Sequence, residues 1–96
     1  MLILTDRHTQ ETSQRVCALP ATLGRDDGVS AVVLDDADVS RRHARLEIVD
    51  DQLVLTDLDS TNGTYVNDAR VTRATLTTGD RLRVGRVELE ITRRER

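Results

Sequence analysis

Aromatic residues are all but missing: Tyr65 is the sole one in 96 residues, with no Phe and no Trp. Modules that read nucleic acid by base stacking present aromatic platforms, so a nucleic-acid partner is not expected. Lysine is absent too: the 14 basic residues are all arginine, set against 17 acidic ones for a formal net charge of −3. Such a chain as a whole repels phosphate backbones. Arginine is nevertheless the planar, bidentate donor best suited to a local phosphate or carboxylate. A lone cysteine, Cys17, excludes an intramolecular disulfide framework and fits a reducing, cytoplasmic setting. Its neighbours Val16, Ala18 and Leu19 predict a buried side chain rather than a nucleophile. No apolar run approaches the ~20 residues needed to span a bilayer. The start MLILTDRH has neither a basic n-region nor a long apolar stretch, so no signal peptide and no membrane insertion are expected.

What is present is aliphatic. Leu, Ile and Val make up 26 of 96 residues, about 27%, above the ~20% level where disorder becomes the default. Their period is two. Leu46 and Ile48 alternate with Arg45 and Glu47, Leu82 and Val84 with Arg81 and Arg83, and Val87, Leu89 and Ile91 with Glu88, Glu90 and Thr92. That is the pattern of half-buried strands. Further strands are predicted at Leu2–Thr5, Gln14–Leu19, Ala31–Leu34, Leu53–Asp57, Thr64–Val66 and Ala74–Thr77. Turn signals stand between them at Asp50-Asp51, Asn62-Gly63, Asn67-Asp68, Gly79-Asp80 and Gly85-Arg86. Pro20 falls between strand candidates, where its missing N–H costs least. No window carries a helical stripe, and no repeat or linker divides the chain. The expectation is one all-β domain over residues 1–96, a sandwich or a barrel.

Strands account for the apolar residues but leave three polar runs unexplained: Gly24-Arg25, Ser40-Arg41-Arg42-His43 and Asp59-Ser60-Thr61-Asn62-Gly63-Thr64. All three fall at strand ends or in connections, where a rigid scaffold presents binding residues. They supply guanidinium groups, hydroxyls and an amide, the donors for an anion with several oxygens.

The order Leu-Gly-Arg (23–25), Ser-Arg-Arg-His (40–43), Ser-Thr-Asn-Gly-Thr (60–64), Val-Asn (66–67) and Leu-Thr-Thr-Gly-Asp (76–80) resembles the forkhead-associated (FHA) domain. The resemblance runs from the Leu2 strand to the Ile91 strand. It implies an antiparallel sandwich of two twisted sheets, about eleven short strands, with the ligand held by loops at one end. It also implies a binding module that reads phosphothreonine peptides made by a Ser/Thr kinase, with no catalysis, cofactor or metal. Carried over by position, Arg25 braces the phosphate and nearby peptide backbone. Ser40 meets phosphate oxygens through its hydroxyl and backbone N–H, Arg41 and Thr61 add donors, and Asn62 grips the peptide main chain. Gly24, His43 and Gly63 fall at architectural positions.

The chemistry of the residues is compatible with those roles. A phosphothreonine carries about −1.5 to −2 charges and three acceptor oxygens at neutral pH. Two charge-assisted hydrogen bonds lost on dephosphorylation would cost about 3–6 kcal/mol, some two to four decades in affinity. Local donors therefore outweigh the net charge. Against serine, a buried threonine methyl adds about 0.8 kcal/mol.

Other readings attach to the same residues. Ser40, His43 and Asp59 have the side chains of a catalytic triad but lack a G-x-S-x-G turn. His8, Cys17 and His43 have no zinc-like spacing. Strand alternation from Ser40 would turn Arg41 and Arg42 opposite ways, leaving Arg42 a solvated charge. Asn62-Gly63 also reads as a type I′ hairpin turn, with Gly63 at positive φ. Asp35, Asp36 and Asp38 predict an acidic rim that disfavours acidic ligand residues after the phosphothreonine. Thr9 and Thr12, if phosphorylated, would offer a ligand for the domain's own or a neighbour's pocket. The alternative function is the same fold used for phosphate-independent protein–protein or self-association.

Overall fold

Apolar alternation builds eleven strands in the computed structural model of the chain, which describes residues 2–6, 13–28 and 30–93. In chain order they are β1 (Leu2–Asp6), β2 (Ser13–Cys17), β3 (Ala21–Gly24), β4 (Val32–Val33), β5 (Ala44–Val49) and β6 (Gln52–Asp57). The remainder are β7 (Thr64–Val66), β8 (Ala69–Val71), β9 (Arg73–Leu76), β10 (Arg81–Val84) and β11 (Val87–Arg93). They form a six-stranded sheet, β2-β1-β11-β10-β7-β8, and a five-stranded sheet, β4-β3-β5-β6-β9. The side chains between the sheets are aliphatic: Leu2, Leu4, Leu23, Leu46, Leu53, Leu55, Leu82, Leu89 and Ile91 are all fully buried. Each such burial contributes about 1.5–3 kcal/mol, so the sandwich closes without a single aromatic in its core. Among the described residues no helix is long and apolar enough to cross a membrane.

The expected all-β sandwich and strand number are both present, with differences in detail. The pairing is antiparallel except between β3 and β4, which run parallel through Leu23↔Val32 and Gly24↔Val33. Strands β3 and β8 were not anticipated: each is only three or four residues long and holds its place by pairing rather than by pattern. Val32–Val33 is all that forms of the predicted Ala31–Leu34 strand, and β2 ends at Cys17 rather than Leu19. The predicted type I′ hairpin at Asn62-Gly63 does not form. Only Gly63 has positive φ (84°), and the chain there crosses from one sheet to the other. The Cys17 side chain, His8, Thr9 and Thr12 lie outside the described residues.

Register sorts the connections into two ends. Leu23 and Asp57 both pair with Ala44, so the segments after β3, before β5 and after β6 share one end. Thr64 pairs with Val84, which brings the start of β7 and the Gly85-Arg86 turn to that end as well. The two-residue hairpins at Asp50-Asp51 and Asn67-Asp68 close the other end. Both residues of each have positive φ, as a turn matching the strand twist demands.

Candidate functional site

Three loops meet at the first end: residues 25–31 after β3, 34–43 before β5 and 58–63 between β6 and β7. A buried histidine joins them. Fully inaccessible to solvent, His43 accepts the Ser40 N–H at Nδ1 (3.0 Å) and donates from Nε2 to the Gly63 carbonyl (2.8 Å). Its backbone extends the tie, with the N–H on Leu23 O and the carbonyl taking the Leu58 N–H. One residue thus fixes β3 and both long loops against each other.

A second hub lies beneath the 58–63 loop, and sequence reasoning missed it. Asp57, the last residue of β6, accepts the Ser60 hydroxyl (2.5 Å) and the Thr64 hydroxyl (2.7 Å) on Oδ1 and the Ser60 N–H (3.3 Å) on Oδ2. Burial pushes its carboxyl up, but the Ser60 and Thr64 hydroxyls, the Ser60 N–H and the neighbouring His43 overcome this and hold it below its ordinary value. The clue was Ser at i+3 and Thr at i+7 from an aspartate ending a strand, where Asp and Ser side chains bond nearby backbone.

The glycines occupy tight sites. A Cβ on Gly24 would collide with the Arg41 carbonyl oxygen, which already accepts from the Asp26 N–H and the Ser30 hydroxyl. Gly63 combines its positive φ with a close neighbour, the Arg70 guanidinium.

On this frame the predicted ligand residues come together. Arg25 sends its N–H to Ser40 O (3.0 Å) and its Nε to Val39 O (3.0 Å), which anchors the stem and leaves the exposed Nη groups unused. The Ser40 hydroxyl accepts the Thr61 N–H at 3.0 Å, so its own proton remains to be donated. Because the Ser40 N–H is occupied by His43, only the hydroxyl is available as a donor, in contrast to the two donors that the resemblance implied. Asn62 sends Nδ2 to Asp38 O (2.8 Å), keeping its Oδ1 without a partner. Thr61 and Arg41 are exposed, and the Arg41 guanidinium has no ion pair among the described residues. Arg42 is exposed as well. Residues 40–43 are not in a strand, so alternation does not separate the two arginines.

The triad does not assemble: both His43 nitrogens are committed to backbone groups, and the Ser40 hydroxyl meets Thr61 instead. Among the described residues no cluster of three or more His, Cys, Asp or Glu side chains could hold a metal. The acidic rim is smaller than its sequence suggests. Asp38 pairs with Arg86 at 2.7 Å, and Asp36 caps the Asp38 N–H (2.8 Å) and accepts the Arg86 N–H (3.2 Å). Arg86, from the β10–β11 turn, was not foreseen in this role.

Known proteins share this sequence pattern and fold. The family profile described as the FHA domain matches residues 21–85. The chain is 34% identical over 88 residues to the glycogen accumulation regulator GarA of Mycolicibacterium smegmatis, covering 92% of this chain and 56% of that regulator. It spans about half the length or less of the curated relatives it matches. Among solved structures, a chain from a study of phosphothreonine-dependent FHA domain interactions superposes with a TM-score of 0.84 at 32% identity, covering 98% of this chain and 97% of that one. Mycobacterium tuberculosis EmbR, solved with a low-affinity phosphopeptide, superposes with a TM-score of 0.82 at 31% identity, covering 94% of this chain and 24% of EmbR. The profile spans more than half of the sequence and the GarA match nearly all of it, so this chain belongs to the FHA domain family.

Proposed function

We propose that this domain is a phosphothreonine-peptide reader, recruiting partners phosphorylated by a Ser/Thr kinase. Arg25, Ser40, Arg41 and Thr61 surround the phosphate, and Asn62 holds the peptide main chain. The observation that carries the reading is the Ser40 hydroxyl. It accepts the Thr61 N–H, its own backbone N–H is tied to His43, and its proton is left to point at a ligand. Arg25 Nη, Arg41 and Arg42 are cations of the same loops with no ion pair among the described residues, the first two at the positions carried over for the phosphate. A dianionic phosphate is a ligand that uses a hydroxyl and two guanidiniums together. The reading is one of binding without chemistry. It agrees with relatives named as a regulator and as an oxoglutarate dehydrogenase inhibitor. It places the domain, as one folded unit, on the cytoplasmic side where kinases act.

The test is titration of the domain with a phosphothreonine peptide library beside matched threonine and phosphoserine libraries. Binding confined to phosphothreonine, lost in Arg25→Ala and Ser40→Ala variants that unfold at the parent temperature, is the expected result. Equal retention of the unphosphorylated library would move the function to phosphate-independent association.

A further inference from the structure

We infer that Arg70 forms a second anion subsite beside the phosphate-reading loops, taking a carboxylate or a second phosphate carried by the same ligand. This rests on the phosphopeptide reading above and adds to it a demand on the partner's sequence.

The position of Arg70 carries the inference. It lies in β8 opposite Tyr65, one strand out from the loops, yet its side chain turns back onto Gly63. Its Nε stands 2.8 Å and its Cζ 3.2 Å from where a Cβ on Gly63 would be. The guanidinium therefore lies against the backbone that follows Thr61 and Asn62 and whose carbonyl holds His43. A Cβ at position 63 would push the guanidinium aside.

No described residue uses that charge. Arg70 makes no hydrogen bond or ion pair among the described residues, whereas the neighbouring charges are engaged. Asp68 pairs with Arg81 at 3.5 Å, Arg83 stacks over the Tyr65 ring at 4.1 Å, and Arg86 pairs with Asp38. Asp59, the exposed carboxylate of the same loop, forms no ion pair with it among the described residues. A guanidinium held against a ligand-binding loop with its donors unspent is a site for a planar anion. The Asp36–Asp38 side of the pocket stays net negative, since Arg86 pairs its guanidinium with Asp38 and offers Asp36 only a backbone N–H, so an acidic ligand residue gains most toward Arg70.

The experiment is fluorescence polarisation with phosphothreonine peptides in an alanine background, each bearing one Glu or one phosphoserine at a single position up to four residues either side. One side of the phosphothreonine should show acidic peptides binding about 2- to 5-fold tighter, the range of an exposed charge pair. Arg70→Ala should erase that ratio, Arg70→Glu should reverse it in favour of Lys-bearing peptides, and Arg42→Ala should leave it intact. The Glu and phosphoserine arms separate carboxylate from phosphate. An Arg70→Ala domain with the parental acidic-to-alanine ratio would overturn the subsite while leaving the phosphothreonine reading in place. Equal binding of phosphorylated and plain threonine by the parent would instead overturn that reading, and the subsite with it.

Discussion

The two ends of the sandwich are built from the same residue types and differ in what is left over. At the hairpin end the polar groups close on one another. Asp80 accepts the Thr77 N–H (2.8 Å) and the Asn67 amide (3.0 Å), and Asn67 Oδ1 takes the Arg81 N–H (2.9 Å). At the loop end the buried hubs His43 and Asp57 are equally satisfied, but the layer above them is not. Arg25 Nη, the Ser40 proton, Asn62 Oδ1, Arg41 and Arg70 all retain capacity. A polar network that consumes its own donors stabilises a fold, whereas one that holds a row of donors rigid and unspent is prepared for a ligand.

The largest expected effect breaks the loop end at its base. His43→Ala would leave the Ser40 N–H and the Gly63 carbonyl without partners and a void among leucines, destabilising the domain by about 2–5 kcal/mol. Urea denaturation reads this, and phosphopeptide affinity should fall alongside. Ser40→Ala separates the layers. It removes a donor to the ligand but only one exposed acceptor from the protein, so stability should stay within about 1 kcal/mol. Affinity for a phosphothreonine peptide should drop by about one to two decades in the same titration.

Acid sharpens the comparison because each end has one depressed aspartate. Burial opposes but the Ser60 and Thr64 bonds lower Asp57, and the Thr77 N–H is the main cause of the lowering at Asp80. A carboxyl with a folded value below its unfolded one, about 3.9, binds protons more readily when unfolded. Its stabilisation is therefore fully present above pH ~4 and is lost as pH falls through the folded value. Asp57→Asn and Asp80→Asn should each flatten the fall in stability below pH ~4, measured by thermal unfolding across pH 2–6. Only Asp57→Asn should also weaken the phosphopeptide, because only Asp57 supports the loop that carries Thr61 and Asn62. Equal effects of both on binding would erase the distinction between the ends.

How much of this was legible in the sequence follows from the range of each interaction. The strands with a clear two-residue period and the Asp50-Asp51 and Asn67-Asp68 turns were readable because alternation and turn chemistry are local. Strands β3 and β8 were not, since Ala21–Gly24 and Ala69–Val71 are too short for a pattern and depend on partners far along the chain. The candidate ligand residues came from the resemblance, but what holds them was not legible. Asp57 was hidden inside a predicted strand, and Arg86 meets Asp38 across 48 residues of sequence. That distant pairing also offsets one of the three carboxylates in the acidic rim that sequence alone suggested.

The smallest predicted effect concerns two adjacent arginines. Arg41 and Arg42 are both exposed and neither has an ion pair among the described residues, so exposure does not tell them apart. Backbone placement does. Arg41 has its carbonyl packed onto Gly24 and bonded to the Asp26 N–H and Ser30, which presses it against the loop bearing Arg25. Arg42 has no such tie and stands next to His43 at the start of β5. Arg41→Ala should therefore weaken phosphothreonine-peptide binding about 3- to 10-fold, with the loss shrinking as salt is raised, while Arg42→Ala should stay within about twofold at every salt concentration. A matching loss in both variants would mean that the two charges act only through the general field around the loops. Phosphate recognition would then rest on Arg25 and Ser40 alone.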